Sequence, residues 1–272
     1  MKWSTSRRLA LISFISIASL PLMPLTATHA KGDRKFEDLR KCINEKRSLD
    51  VLMLIDESKS LRVLGKNPGN DPEDARVEAL ISVVEVLKSS LAVTAESDTA
   101  VGERLKIRVG ISGFGGKYTS HRDFTELNDS SIASITETLR QQAERDNERF
   151  TRYHEGLRGA EKSFEESSAD VCRMLMWFSD GQHDDDDSGG FNSKERDQIE
   201  NVICGKNGVV DKLRSDGVFI VAAGLNKDAK ELGLMRMIAV GDEPYISDGY
   251  SRQTNAKKVN VTTCGEIAPF GS

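Results

Sequence analysis

Two carboxylates and three hydroxyls carry the clearest chemical signal in this 272-residue chain. Asp56-Glu57-Ser58-Lys59-Ser60 is a D-x-S-x-S segment, Thr151 stands further along, and Asp180 is followed directly by Gly181. A donor set made only of oxygens suits a hard divalent cation such as Mg²⁺ or Mn²⁺ rather than zinc or copper. Mg²⁺ takes six oxygens near an octahedron and keeps some waters among them. Side chains two apart on one turn, as Ser58 and Ser60 are, can face the same ion. Each residue also has an ordinary reading, because Ser and Thr are preferred helix caps and Asp is common in turns. The argument for a metal rests on all five occurring together.

Such residues need a scaffold that brings them to one place. Leu49-Asp50-Val51-Leu52-Met53-Leu54-Ile55 is a nearly unbroken apolar run that stops at Asp56. That is the pattern of a strand buried on both faces of a parallel sheet. Val171 to Phe178 reads the same way and ends at Ser179-Asp180-Gly181, and Val218 to Ala223 is a third such run. Leu105, Ile107, Val109 and Ile111 alternate with polar residues or Gly, which predicts a strand with one face less buried, ended by a turn at Gly113 to Gly116. Asp71-Pro72 predicts a helix start, with Asp as the cap and Pro in the first turn. Ala75, Leu80, Ile81, Val84, Leu87 and Leu91 then follow helical spacing. Similar spacing covers Ser130 to Arg145, Thr151 to Phe164, residues 193–214 with a break at Gly205 to Gly208, and Lys227 to Val240.

Strands alternating with helices predict an α/β fold: a doubly wound, mostly parallel sheet with helices on both faces. One domain over residues 46–265 is expected, after a charged lead-in at 31–45 and before a short tail at 266–272. Ligands of open α/β sheets lie beyond the carboxyl ends of the strands. The chemistry is therefore expected just past Ile55, Phe178 and Ala223.

With its elements in this order, the chain resembles the von Willebrand factor type A domain with its metal-ion-dependent adhesion site. The resemblance rests on Leu52 to Ser60, on Thr151-Arg152-Tyr153-His154-Glu155-Gly156-Leu157-Arg158-Gly159-Ala160, and on Met174 to Gly181. It implies direct cation contacts from Ser58 and Ser60, contact from Thr151 either directly or through water, and water-mediated contacts from Asp56 and Asp180. It implies no catalysis. It implies a protein partner whose Asp or Glu completes the coordination of the cation. The family also has another strand and a closing helix after the position of Val240. Lys257 to Thr262 is a candidate for that strand, but no segment reads as the helix. Glu148-Arg149-Phe150 stands where a small Gly-rich loop is often found.

Charge and cysteines bound the setting. With 38 Lys+Arg against 43 Asp+Glu the net charge is −5, which argues against a nucleic-acid binder working by broad phosphate neutralisation. Met1 to Ala30 has the basic start, the apolar stretch Leu9 to Leu20 and the small-residue cut site Thr28-His29-Ala30 of a secretory signal. Its apolar stretch is too short to span a bilayer comfortably, so no membrane insertion is expected after cleavage. Cleavage would remove Lys2, Arg7 and Arg8 and leave the chain more acidic. A secreted or cell-envelope protein follows from this reading. Cys42, Cys172, Cys204 and Cys264 are then expected to form disulfides, since their spacing does not suit zinc. Four cysteines allow three pairings. A doubly wound order places the first strand beside the one at 171–178, which favours Cys42–Cys172 and, by elimination, Cys204–Cys264.

Other signals carry less. Asp184 to Asp187 reads as a solvated acidic loop before a second cation site, and His183 as a surface residue. Gly113-Phe114-Gly115-Gly116-Lys117 lacks the first Gly of a phosphate loop, and Tyr118 replaces its hydroxyl ligand. Asn128-Asp129-Ser130 and Asn260-Val261-Thr262 are acceptors only in a glycosylating host. A metal-dependent hydrolase using Asp56 and Asp180 is the alternative to a binding module, but no His has an evident place at their edge to act as a base. A structural envelope component is a third possibility.

Overall fold

A computed structural model describes residues 31–62, 69–97, 104–146, 148–181, 183, 198–225, 233–240 and 264. The signal segment, the Asp184 to Asp187 run, the candidate strand at Lys257 to Thr262 and the tail lie outside the described residues. In chain order the elements are α1 (Lys31–Lys46), β1 (Ser48–Asp56), α2 (Ala75–Ser97), β2 (Lys106–Phe114), β3 (Tyr118–Glu126), α3 (Ile132–Arg140), α4 (Tyr153–Glu165), β4 (Cys172–Ser179), α5 (Val209–Ser215), β5 (Val218–Gly224) and α6 (Gly233–Val240). A short π-helical segment, Gln198–Ile203, precedes α5, and the break expected at Gly205 to Gly208 separates the two.

The sheet runs β3-β2-β1-β4-β5. β1 lies at its centre, parallel to both β2 and β4, while β3 is antiparallel to β2. The apolar run of β1 splits by alternation. Leu52 and Leu54 join a core that includes Leu157 and Phe164 of α4, Val210 and Leu213 of α5, and Ile238 of α6. Val51, Met53 and Ile55 join a second core with Leu80, Val84 and Leu87 of α2 and Ile135 and Leu139 of α3. Helices thus cover both faces, the doubly wound arrangement.

Asp50 interrupts the β1 run and is fully buried. Arg108 grips its carboxylate through Nε at 2.7 Å and Nη2 at 2.5 Å, and the Ser167 hydroxyl adds a third bond at 2.7 Å. A charge can remain inside only when paired in this way.

Three sequence expectations shift. β2 is buried on both faces from Val109 onward, not half-exposed. Its small residues let other groups close over it: a Cβ at Gly110 would lie 3.1 Å from Leu52 Cδ1 and 3.2 Å from the Phe124 ring. The segment 118–126 is an edge strand, unannounced because an edge strand can be polar along its length. The lead-in at 31–45 is helical and joins β4 through Cys42.

Both favoured pairings form, Cys42–Cys172 at the start of β4 and Cys204–Cys264, the pair expected by elimination. Cys42–Cys172 spans 130 positions and Cys204–Cys264 spans 60. Cross-links closing loops this long typically contribute about 2–4 kcal/mol. Replacing Cys42 and Cys172 together by Ser is expected to lower the thermal midpoint by several degrees while leaving the far-ultraviolet dichroism spectrum unchanged. An unchanged midpoint would show that the link adds nothing to stability.

Candidate metal centre

β1 and β4 are parallel neighbours, in register with Ile55 opposite Phe178. Asp56 and Asp180 therefore emerge at the same sheet edge. Both are fully buried. Asp56 Oδ1 accepts the Ser58 N–H at 2.8 Å, which turns the chain back toward the carboxylate. Asp56 Oδ2 accepts the Ser179 hydroxyl at 2.6 Å, and the Tyr153 hydroxyl lies 3.1 Å from that same Ser179 oxygen. Asp180 Oδ2 accepts the Asn70 side-chain amide at 2.9 Å. Gly181 follows with φ +92°, a conformation that L side chains rarely adopt.

The hydroxyls of Ser58 and Ser60 face one another at 2.8 Å. Around an ion with metal–oxygen distances of about 2.0–2.1 Å, adjacent octahedral ligands stand about 2.9 Å apart. The serine pair already has that spacing. Helix capping does not explain these hydroxyls. Ser58 precedes a 3₁₀ turn but makes no side-chain cap bond. The cap position of α4 belongs to Arg152, so Thr151 does not cap it.

Thr151 is buried and sits on a loop docked against the D-x-S-x-S turn. Lys59 N–H donates to the Glu148 carbonyl at 2.9 Å, Glu148 N–H donates to the Glu57 carbonyl at 3.0 Å, and Arg152 N–H donates to the Gly115 carbonyl at 2.9 Å. Ser58 and Glu148 form a parallel bridge. Of the five predicted residues, Asp56, Ser58 and Ser60 are linked by hydrogen bonds, Asp180 is held close to Asp56 against their mutual repulsion, and the loop that carries Thr151 docks on the same turn.

The oxygen-only donor set fits a hard cation, and electrostatics point the same way. Burial, then the neighbouring Asp180 carboxylate, pushes Asp56 up to about 7 against the hydrogen bonds from Ser179 and Ser58. Two buried carboxylates side by side are costly unless positive charge joins them. Among the described residues no group of three His, Cys, Asp or Glu side chains forms a ligand cluster, so a zinc-type site is absent there.

Three histidines stand at this edge, contrary to the expectation that none would: His121, His183 and, with its ring 6.3 Å from that of His183, His154 in the first turn of α4. His121, from β3, bonds Glu57 Oε1 at 2.7 Å, and a Cβ at Gly113 would lie 2.1 Å from the Glu57 carboxyl carbon. His183 Nδ1 lies 3.0 Å from the Thr151 carbonyl, and its ring packs on Tyr153 at 5.3 Å. It is half-buried rather than a surface residue. Sequence reasoning also missed Asn70 and Ser179. Ser179 was detectable as the residue beside Asp180, whereas Asn70 carries no local signal.

The fold is a doubly wound α/β domain with hydroxyls and carboxylates gathered at one strand edge. The profile of the von Willebrand factor type A domain matches residues 50–259, and the chain belongs to that family. No curated protein sequence matches it. It is similar in fold to the vWF domain of the type V pili tip protein Mfa5 from Porphyromonas gingivalis, at 20% identity and TM-score 0.34 over 50% of this chain and 38% of that one. It is also similar to the conserved hypothetical protein BatB from Bacteroides thetaiotaomicron, at 18% identity and TM-score 0.38 over 65% and 66%. A third is the pilus adhesin SpaC from Lactobacillus rhamnosus GG, at 13% identity and TM-score 0.45 over 71% and 26%. The matched region spans less than two thirds of each of these three chains.

The raised Asp56 makes a pH prediction for the cation-free protein. The folded state favours neutral Asp56, whose value in an unfolded chain is about 3.9. Its stabilising contribution is full below that value and is lost as pH rises through about 7. In EDTA, wild type is expected to lose stability between pH 5 and pH 8 more steeply than Asp56→Asn. Urea unfolding at several pH values checks this, and equal slopes in the two proteins would contradict it.

Proposed function

We propose that the chain is an exported, non-catalytic binding module that engages a protein partner through a divalent cation, Mg²⁺ or Mn²⁺, at the β1/β4 edge. One observation carries the reading. Two fully buried carboxylates share an edge with a converged hydroxyl pair, and among the described residues the groups acting on Asp56 include a second carboxylate and no cationic side chain.

Ser58, Ser60 and Thr151 would offer neutral oxygens, with Asp56 and Asp180 supplying negative charge through water. A cation held mainly by neutral oxygens keeps positive charge to spare, and what it supplies when bound is attraction for an Asp or Glu of the partner. Ser179 and Asn70 orient the two carboxylates by occupying one oxygen of each. Two disulfides and the signal-like first thirty residues support a secreted or envelope location. Among the described residues no helix is long and apolar enough to cross a membrane.

Isothermal titration of Mg²⁺ and Mn²⁺ into the wild type and into a Ser58→Ala/Ser60→Ala variant tests the proposal. Saturable one-site binding in the wild type, weakened at least about tenfold in the variant, is expected. A wild type that binds neither ion would overturn the reading.

A further inference from the structure

Arg76 stands in the first turn of α2 and is 1% exposed. Its Nη1 donates to Asp71 Oδ2 at 2.7 Å and to Asp74 Oδ1 at 3.3 Å. Its Nη2 donates to Asp146 Oδ1 at 2.6 Å and reaches the Gln142 carbonyl at 3.4 Å. Asp71 and Asp146 are themselves buried. Burial works against the guanidinium charge, but Asp146 and Asp71 more than offset it and hold the group above its ordinary value.

The two arms lead to different parts of the candidate centre. Asp71 directly follows Asn70, whose amide holds Asp180. Asp71 also accepts the Ala75 N–H at 2.8 Å and the Arg76 N–H at 3.2 Å, so its loop is locked to the start of α2. Asp146 opens the loop that carries Glu148, whose backbone pairs with Glu57 and Lys59, and then Thr151. One planar side chain thus ties the Asp71 loop to Asp146, a carboxylate 70 positions beyond Arg76 itself. A buried ionic cluster is a poor source of stability compared with an apolar core of equal volume. Its benefit is sought instead in the geometry it enforces.

We propose that Arg76 is a positioning residue for the cation centre, fixing the Asn70–Asp180 arm and the Thr151 loop relative to one another. This rests on the cation reading given above. A guanidinium can hold both carboxylates at once in one plane, whereas the single ammonium of Lys cannot reproduce that fork.

The test compares Mn²⁺ binding by titration calorimetry, together with the electron paramagnetic resonance spectrum of the bound ion, in wild type, Arg76→Lys and Leu213→Ala. Leu213 is buried in α5 on the opposite face of the sheet. Its truncation serves as a control that lowers stability without touching the clamp. Arg76→Lys is expected to weaken Mn²⁺ binding about tenfold and to change the spectrum, as loss of a supporting contact does at other metal sites. Leu213→Ala is expected to lower the thermal midpoint with affinity and spectrum unchanged. If Arg76→Lys does not fold, Asp146→Asn removes one arm alone and is expected to show the same loss. Wild-type affinity and spectrum in the clamp variant, or an equal loss of affinity in Leu213→Ala, would overturn the positioning role while leaving the cation reading intact. A wild type that binds no Mn²⁺ would overturn both.

Discussion

Two carboxylates buried side by side at the ends of adjacent parallel strands set the terms for everything around them. Asp56 and Asp180 reach the same edge because β1 and β4 run in register. Neither can move to solvent without pulling its strand end with it. Their repulsion and burial hold Asp56 near neutrality as a proton acceptor in the cation-free protein. The surroundings answer this with donors on every side: Ser179 and the Ser58 amide for Asp56, and Asn70 for Asp180.

Around that pair the fold arranges three loops that do not touch in sequence. The D-x-S-x-S turn leaves β1, the Glu148 to Arg152 segment docks on it through backbone bonds, and the Asn70 loop closes on Asp180. Backbone pairing joins the first two, and the Arg76 cluster joins the second to the third. At the opposite end of the sheet Asp50, Arg108 and Ser167 form a second buried polar knot, and Cys42–Cys172 ties α1 to β4. The centre is thus held by polar contacts above a densely packed apolar middle.

Much of this was legible in the linear chain. Nearly unbroken apolar runs such as Leu49 to Ile55 and Met174 to Phe178 have the length and bounds of strands covered on both faces, and between helical segments they point to a doubly wound sheet. Strand adjacency then indicated which cysteines could meet. Asp56, Ser58, Ser60 and Asp180 stand at the ends of such runs, which is why their edge could be named in advance, whereas Thr151 opens a helical segment after a polar loop. Less legible were the elements whose polar pattern looks like a loop. β3 is an edge strand with no fully buried residue, so its sequence Tyr118–Glu126 is mostly polar and lacks the alternation that marks a half-buried strand. The helix after Asp71-Pro72 starts only at Ala75, because Asp74 takes φ +52° and the Asp71 carboxylate reaches forward across a full turn to the amides of Ala75 and Arg76.

The sequence by itself determined the central buried strands, the helices between them and a candidate set of oxygen donors, because each depends on local periodicity or on residue type; it favoured one cysteine pairing among three. Only the tertiary structure decided that the two serine hydroxyls converge, that Asn70 faces Asp180, that His121 covers Glu57 and that Arg76 bridges two distant loops. Those facts depend on where separate segments meet in space. A polar side chain gives no hint along the chain of which distant partner will satisfy it, since any buried donor needs an acceptor and packing alone chooses which one it finds.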